Sequence, residues 1–248
     1  MEGEKRRDPQ VEGKVVLVTG STRGIGLAIA AALLEDGAQV MISSRDPTRV
    51  ERVVQEFSSA HEGRVAGVAA DVRKPADCEA LVEATVDRFE GLDVLVNNAG
   101  VGAFATIQEM SPEDWDRQIR TNLDGVFHCS RAAVPHLISR GEGWILNIGS
   151  LAGRNTFSGG VAYNASKWGL LGMSEAMMLD LRHEGVRVSC IMPGSVNTHF
   201  STGEPDPAAD WKLQSEDVAR VVRDLLAFPP RALPSRVELR PSRPPRKG

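Results

Sequence analysis

Tyrosine is almost missing from this chain: there is one, Tyr163, in 248 residues. Cysteine is scarce too. The three cysteines, Cys78, Cys129 and Cys190, are far apart and odd in number. Neither a disulfide framework nor a C-x-x-C metal site is built that way, so they read as reduced, mostly buried thiols. No apolar run reaches the roughly 18 residues a bilayer span needs. The start, Met1 to Gln10, is charged and lacks the apolar centre of a secretory signal. There is no basic excess: 29 Lys and Arg against 33 Asp and Glu leave a formal charge of -4, which supplies no field for nucleic acid. These absences lead us to expect a soluble, cytoplasmic protein with no metal, no nucleic acid and no membrane among its partners.

What is present is ordinary for a globular chain, with 42% hydrophobic and 25% charged residues, enough for a core that needs no staple. Short apolar runs alternate with longer stretches of helical period. Val15–Val18, Gln39–Ile42, Val65–Ala69, Val94–Val96, Trp144–Ile148, Val186–Ile191 and Val237–Leu239 read as strands. Ile25–Leu34, Asp77–Phe89, Trp115–Ile138, Val161–Leu181 and Asp217–Leu226 read as helices. Ser111-Pro112-Glu113-Asp114 and Ser215-Glu216-Asp217 mark helix starts by hydroxyl caps and first-turn acids. Near-continuous apolar strands between helices predict an α/β fold: a Rossmann-type, doubly wound, mostly parallel seven-stranded sheet with helices on both faces. Residues 14–240 are expected to form this single domain. They lie between a flexible tail, 1–13, and a basic, proline-rich tail, 241–248.

Directly after the first strand comes Thr19-Gly20-Ser21-Thr22-Arg23-Gly24-Ile25-Gly26. Gly20 permits a tight turn, Gly24 lets backbone approach a diphosphate, and Gly26 lets helix and strand pack closely. The following helix aims its positive end at the phosphates. A glycine turn alone is weak evidence; its place after the first strand makes it a dinucleotide signal. The end of the second strand, Ser43-Ser44-Arg45, carries no acid to hold the ribose diol of NAD. Arg45, joined by Arg23 from the glycine turn, suits a 2′-phosphate, so NADP(H) is the expected cofactor. Asp71, beside Val72 after the third strand, is placed to accept from the adenine amino group; its bland alternative is a turn cap.

Later strand ends carry Asn97-Asn98-Ala99-Gly100, then Gly149-Ser150, then Tyr163-Asn164-Ala165-Ser166-Lys167. Tyr163 and Lys167 are four apart and share a helix face. An ammonium beside a phenol lowers the phenol pKa from about 10, which would suit Tyr163 to acid/base work. A lone Tyr-x-x-x-Lys is structural more often than not; its company reverses that judgment.

Taken together, Thr19-Gly20-x-x-x-Gly24-x-Gly26, Asn97-Asn98-Ala99-Gly100, Asn122, Ser150, Tyr163-x-x-x-Lys167 and Pro193-Gly194-x-Val196-x-Thr198 resemble the short-chain dehydrogenase/reductase family in order and spacing, over about residues 12 to 240. The resemblance implies that Tyr163 protonates a carbonyl oxygen as hydride arrives, that Ser150 stabilises that oxygen, and that Lys167 also grips the nicotinamide ribose. It implies that Asn122 holds a water beside Lys167 and that Pro193, Gly194, Val196 and Thr198 meet the nicotinamide. It also implies a homo-oligomer, a tetramer or dimer built on the helices expected at 115–138 and 161–181.

The sequence is similar to 3-oxoacyl-carrier-protein reductases, and a 3-oxoacyl thioester, with a carrier protein as its bearer, ranks narrowly first as substrate. Glu184, where a base would favour an acidic carrier, supports the alternative of a free small ketone or 3-hydroxy acid. Phe104, Phe157, Phe200 and Trp211 are candidates to line an apolar pocket, and His199–Asp210 reads as a short lid. A non-catalytic NADP(H)-binding scaffold predicts a broken Ser–Tyr–Lys set, which this chain does not have. A partner recruited by the basic tail is a further alternative, tested by deleting the tail.

Overall fold

The computed structural model of the protein describes residues 10–200 and 205–245. Most of the expected N-terminal tail, part of the expected lid and the last three residues lie outside the described residues.

Seven strands form one sheet: β1 (Val15–Thr19), β2 (Gln39–Ser44), β3 (Val65–Ala69), β4 (Val94–Asn97), β5 (Gly143–Ile148), β6 (Val186–Pro193) and β7 (Arg236–Leu239). Their order is β3-β2-β1-β4-β5-β6-β7, and every neighbouring pair is parallel. The sequence explains the layering. β1, β4, β5 and β6 are buried along their whole length, so both sheet faces must be covered. Side chains alternate between faces. Val16, Val18, Val40 and Ile42 meet Ile29 and Leu33 of α1 (Gly24–Glu35), Val50 and Val53 of α2 (Pro47–Ser58), and Val218 and Val222 of α7 (Ser215–Leu226). Val15, Leu17, Leu95 and Ile145 meet Leu81 and Val82 of α3 (Pro75–Phe89) and Cys129 and Leu137 of α5 (Gly125–Ser139). Met177 and Met178 of α6 (Val161–Leu181) pack against the same cluster. Arg223 of α7 clamps Asp36 at the end of α1, with one Nη2–Oδ1 bond of 2.6 Å.

Three local features depart from expectation. Helix α2 was not expected. Asp46 caps it by accepting from the Thr48 and Arg49 amides at 3.1 and 3.2 Å, and Pro47 occupies the first turn. The expected helix 115–138 is two helices, α4 (Pro112–Ile119) and α5, joined by a π turn at Arg120–Asp124. Finally, Val11 is fully buried in the α1 face of the core, and the Gly13 amide donates to Gly37 at 3.0 Å. Packing therefore starts before the expected boundary at 14.

Candidate active site

The strand order reverses at β1 and β4, the place where parallel sheets open a crevice beyond their carboxyl ends. A cleft of about 1180 Å³ lies there, lined by segments following β1 through β6 and by the start of α6.

The β1 turn forms one wall. Gly20 has φ 65°, and a Cβ on it would stand 2.8 Å from Ala99 Cα; a Cβ on Gly26 would stand 2.5 Å from the Gly20 carbonyl oxygen. Side chains are thus shut out so that β1, α1 and the end of β4 can meet. Thr19, the first residue of the glycine motif, ties them: its Oγ1 accepts from the Asn98 and Ala99 amides at 3.0 and 3.1 Å. Asn98 Nδ2 returns the link, donating to the Thr19 and Gly20 carbonyls at 3.0 Å each. Ser21 is buried, donating to Val18 O at 2.7 Å and accepting from the Ser43 amide at 2.9 Å. Ser21 and Gly26 therefore shape the cradle from behind, while Gly20, Thr22, Arg23, Gly24 and Ile25 face the cleft.

Beyond the turn, Ser44 and Arg45 line the cleft with Arg49 of α2, a third arginine that the sequence reading missed with its helix. Asp46 is the nearest acid, but its carboxylate is taken by the α2 amides and by Arg49 Nε at 3.1 Å. Asp71, expected at the adenine, accepts from Arg73 Nε at 2.9 Å. That hydrogen bond holds its carboxyl below the usual carboxylate range. Ala70 and Val72 line the cleft and Asp71 does not. Thr121, in the π turn, also lines it, and its buried Oγ1 has no hydrogen-bond partner among the described residues. A polar atom left so is costly unless a ligand meets it. The orphaned hydroxyl, the side-chain-free cradle and the arginines fit a phosphorylated dinucleotide.

The other end gathers the polar groups around Tyr163. The first turn of α6 presents Tyr163, and a hydrogen bond joins its hydroxyl to Ser150, the residue after β5. Ser150 Oγ also accepts from the Ala152 amide at 3.1 Å. Lys167, one turn further along α6, is buried and donates to Ile148 O at 2.9 Å. Asn122 accepts from the Val101 amide at 2.8 Å and donates to Val101 O at 2.9 Å and to Ser166 Oγ at 3.1 Å. Its side chain thereby splints the β4 loop to the π turn and to α6. Gly100 lies between them: a Cβ there would stand 3.4 Å from Asn122 Oδ1 and 4.0 Å from Lys167 Nζ. Beneath, Asn97 donates to Asn147 Oδ1 at 2.9 Å, and Asn147 donates to Ser174 Oγ at 2.9 Å. This buried bridge of β4, β5 and α6 holds the floor level. Neither Asn147 nor Ser174 belongs to a recognisable motif. Pro193, Gly194, Val196 and Thr198 line the cleft after β6, and Pro241 and Pro244 of the expected loose tail line it too.

The electrostatics correct one expectation. Lys167 does not bring the phenol down; burial pushes Tyr163 above its ordinary value of 10, and the Ser150 hydrogen bond only opposes the rise. The ammonium lies 5.8 Å from the ring centroid, committed to a backbone carbonyl. Burial depresses Lys167 itself to about 8. Tyr163 is thus a proton donor at neutral pH.

The family model described as short chain dehydrogenase matches residues 14–208. Dehydrogenase/reductase SDR family member 4 of Oryctolagus cuniculus is 38% identical over 225 residues, which cover 89% of this chain and 83% of the relative. An alcohol dehydrogenase of Thermococcus sibiricus, solved with 5-hydroxy-NADP, superposes with a TM-score of 0.88 at 30% identity, covering 94% of this chain and 99% of that one. The 3-ketoacyl-(acyl-carrier-protein) reductase of Brucella melitensis, solved with NADH, superposes with a TM-score of 0.84 at 29% identity, covering 94% and 98%.

Proposed function

The chain belongs to the short-chain dehydrogenase family, oxidoreductases of alcohol and ketone groups, and on that premise we propose that it interconverts a ketone and a secondary alcohol with NADP(H). The observation that carries the reading is the convergence of Ser150, Tyr163 and Lys167 on the same cleft that the glycine turn opens.

When bound, the reduced nicotinamide supplies hydride to a carbonyl carbon. The residues of this chain do the rest. Tyr163 holds a proton at Oη and releases it to the carbonyl oxygen. Ser150 Oγ, already bonded to Tyr163, faces the same oxygen and stabilises the charge that develops on it. Lys167 keeps a positive charge beneath the site and offers its remaining donors to a ribose. The turn Gly20–Ile25 would hold the diphosphate by backbone amides. Arg23, Arg45 and Arg49, with Asp46 occupied elsewhere, favour a 2′-phosphate over a bare diol.

For the substrate we place a 3-oxoacyl thioester or similar 3-oxo compound first, as the likeness to a 3-ketoacyl-(acyl-carrier-protein) reductase supports. A free ketone is the second reading, favoured by the phenylalanines at the mouth of the cleft. We also propose a homo-oligomer. Trp115 on α4, Phe127 on α5, and Trp168 and Leu179 on α6 are large apolar side chains left exposed on the helices expected to form its interface. The test follows nucleotide absorbance with an acetoacetyl thioester, a 3-oxo ester, a diketone and an aromatic ketone, each with NADPH and NADH. Faster consumption of NADPH with at least one ketone supports the proposal. Equal use of NADH removes the cofactor preference, and thioester turnover far below that of every free ketone reverses the substrate order.

A further inference from the structure

Three phenylalanines from three separate loops cluster beside Tyr163: Phe104 and Phe200 meet its ring, and Phe157 meets Phe104. Phe104 follows β4, Phe157 follows β5 and Phe200 follows β6. Their centroids stand 5.7 Å apart for Phe104–Phe157 and 6.5 Å for Phe104–Phe200. Phe104 and Phe200 each meet Tyr163 edge to face at 5.6 Å, with interplanar angles of 76° and 61°. All three line the cleft. Yet they are not core residues: 48%, 46% and 38% of Phe104, Phe157 and Phe200 remain exposed. The chain has only seven phenylalanines, and three of them stand together at this end of the cleft, partly exposed.

The loops are shaped to seat them. A Cβ on Gly102 would stand 2.6 Å from the Phe200 ring, and one on Gly160 would stand 2.7 Å from the Phe157 ring. A backbone bridge pairs Ala105 with Gly160, fixing the Phe104 and Phe157 loops to each other. At this end Lys167 is turned to a backbone carbonyl, and His199, Lys212 and Arg240 also line the cleft after β6 and β7. Arg23, Arg45 and Arg49 belong to the β1 and β2 side of the cleft.

We propose that the ketone carries an aryl ring beside its carbonyl and that Phe104, Phe157 and Phe200 form the cage that receives it. The inference rests on the ketone-reductase reading and adds the substituent. An aryl group offers edges to the phenyl faces and faces to their edges, a match a saturated ring of the same size lacks. With the ring caged, the carbonyl oxygen falls to the Tyr163 and Ser150 hydroxyls. A bound reduced nicotinamide would supply hydride to the carbonyl carbon and would itself be oxidised. The C=O π pair moves to oxygen, which takes the Tyr163 proton, and solvent returns a proton to Tyr163.

The experiment compares phenyl methyl ketone with cyclohexyl methyl ketone, equal in carbon count but unequal in aromaticity. The kcat/KM ratio with NADPH is measured for the wild type, for Phe104→Leu, Phe157→Leu and Phe200→Leu, and for Phe157→Tyr. Binding of both ketones to the NADP⁺-loaded protein is measured by calorimetry, a readout free of turnover. The cage predicts a phenyl preference of about tenfold or more. Each leucine should reduce it by about two- to tenfold in both kcat/KM and binding, and Phe157→Tyr should keep it. Equal efficiency for the two ketones, unmoved by the leucines, overturns the cage and leaves the reductase reading intact. Preferential phenyl binding without any reduction leaves the cage intact and overturns the reductase reading.

Discussion

Tyr163 and Lys167 behave as burial dictates rather than as their spacing alone implies. A buried phenolate and a buried ammonium are both disfavoured, so Tyr163 moves up and Lys167 moves down to about 8. The second shift carries a stability consequence with a definite sign. Unfolded, Lys167 titrates at 10.5; folded, at about 8. Between these values the unfolded chain binds more protons, so stability rises with pH there, and the penalty of burying the ammonium is full below about pH 8. It is worth up to about 3 kcal/mol. Urea unfolding of wild type and Lys167→Met between pH 7 and 10 should show a rise in the wild type that the variant lacks; parallel profiles would contradict the assignment. Arg45 gives a second test at this scale. Its loss in Arg45→Ala should raise the KM for NADPH by about tenfold or more, the worth of a charged hydrogen bond of ~1.5–3 kcal/mol, and leave the KM for NADH within about twofold. Residues of this kind are legible where a motif fixes their spacing, as for Ser150, Tyr163 and Lys167. Asp71 is bonded to Arg73, two residues on, a pairing that the strand-end pattern does not announce. Asn147 acts through a partner on another strand, which no local pattern announces.

At the scale of elements, strand and helix periods located all seven strands and most helices, with ends off by up to three residues. Helix α2 was missed although Val50, Val53, Val54 and Phe57 repeat at helical spacing behind Asp46-Pro47. Its many charges and its position in a loop after β2 hid it. The π turn at 120–124 was missed for a deeper reason. Helical period continues through it, and the extra residue is set by the amide of Asn122, bonded to Val101 across a loop. Such turns often mark functional sites, and here Thr121 and Asn122 both owe their placement to it. Two stability predictions belong here. Leu33→Ala, at a fully buried position between α1 and the sheet, should cost about 2–5 kcal/mol in denaturant unfolding. Asp46→Ala should cost about 1 kcal/mol, the worth of an N-cap. A near-zero result for the first would contradict the packing described.

The whole molecule is one parallel sheet whose order reverses once, and that reversal decides where the cleft opens. Continuous apolar strands made the parallel sheet and its two helical layers legible before any contact was known. The extent of packing was less so: Val11 belongs to the core, and Pro241 and Pro244 reach the cleft, because single residues of low-complexity ends dock on surfaces that sequence pattern does not display. At this scale the exposed Trp115, Phe127, Trp168 and Leu179 predict self-association. Light scattering at micromolar concentration should give a mass of two or four chains; a single-chain mass would contradict the proposed assembly.

The most direct test of the account compares wild type with Tyr163→Phe, measuring NADPH-dependent ketone reduction beside NADPH binding. The substitution removes one oxygen and keeps the ring that packs on Phe104 and Phe200. The account predicts that kcat falls by about 10²–10⁴-fold, the contribution of a positioned proton donor, while NADPH affinity stays within about threefold. A variant that binds NADPH as before and reduces ketones at near wild-type rate would contradict it, because Tyr163 would then not be the acid.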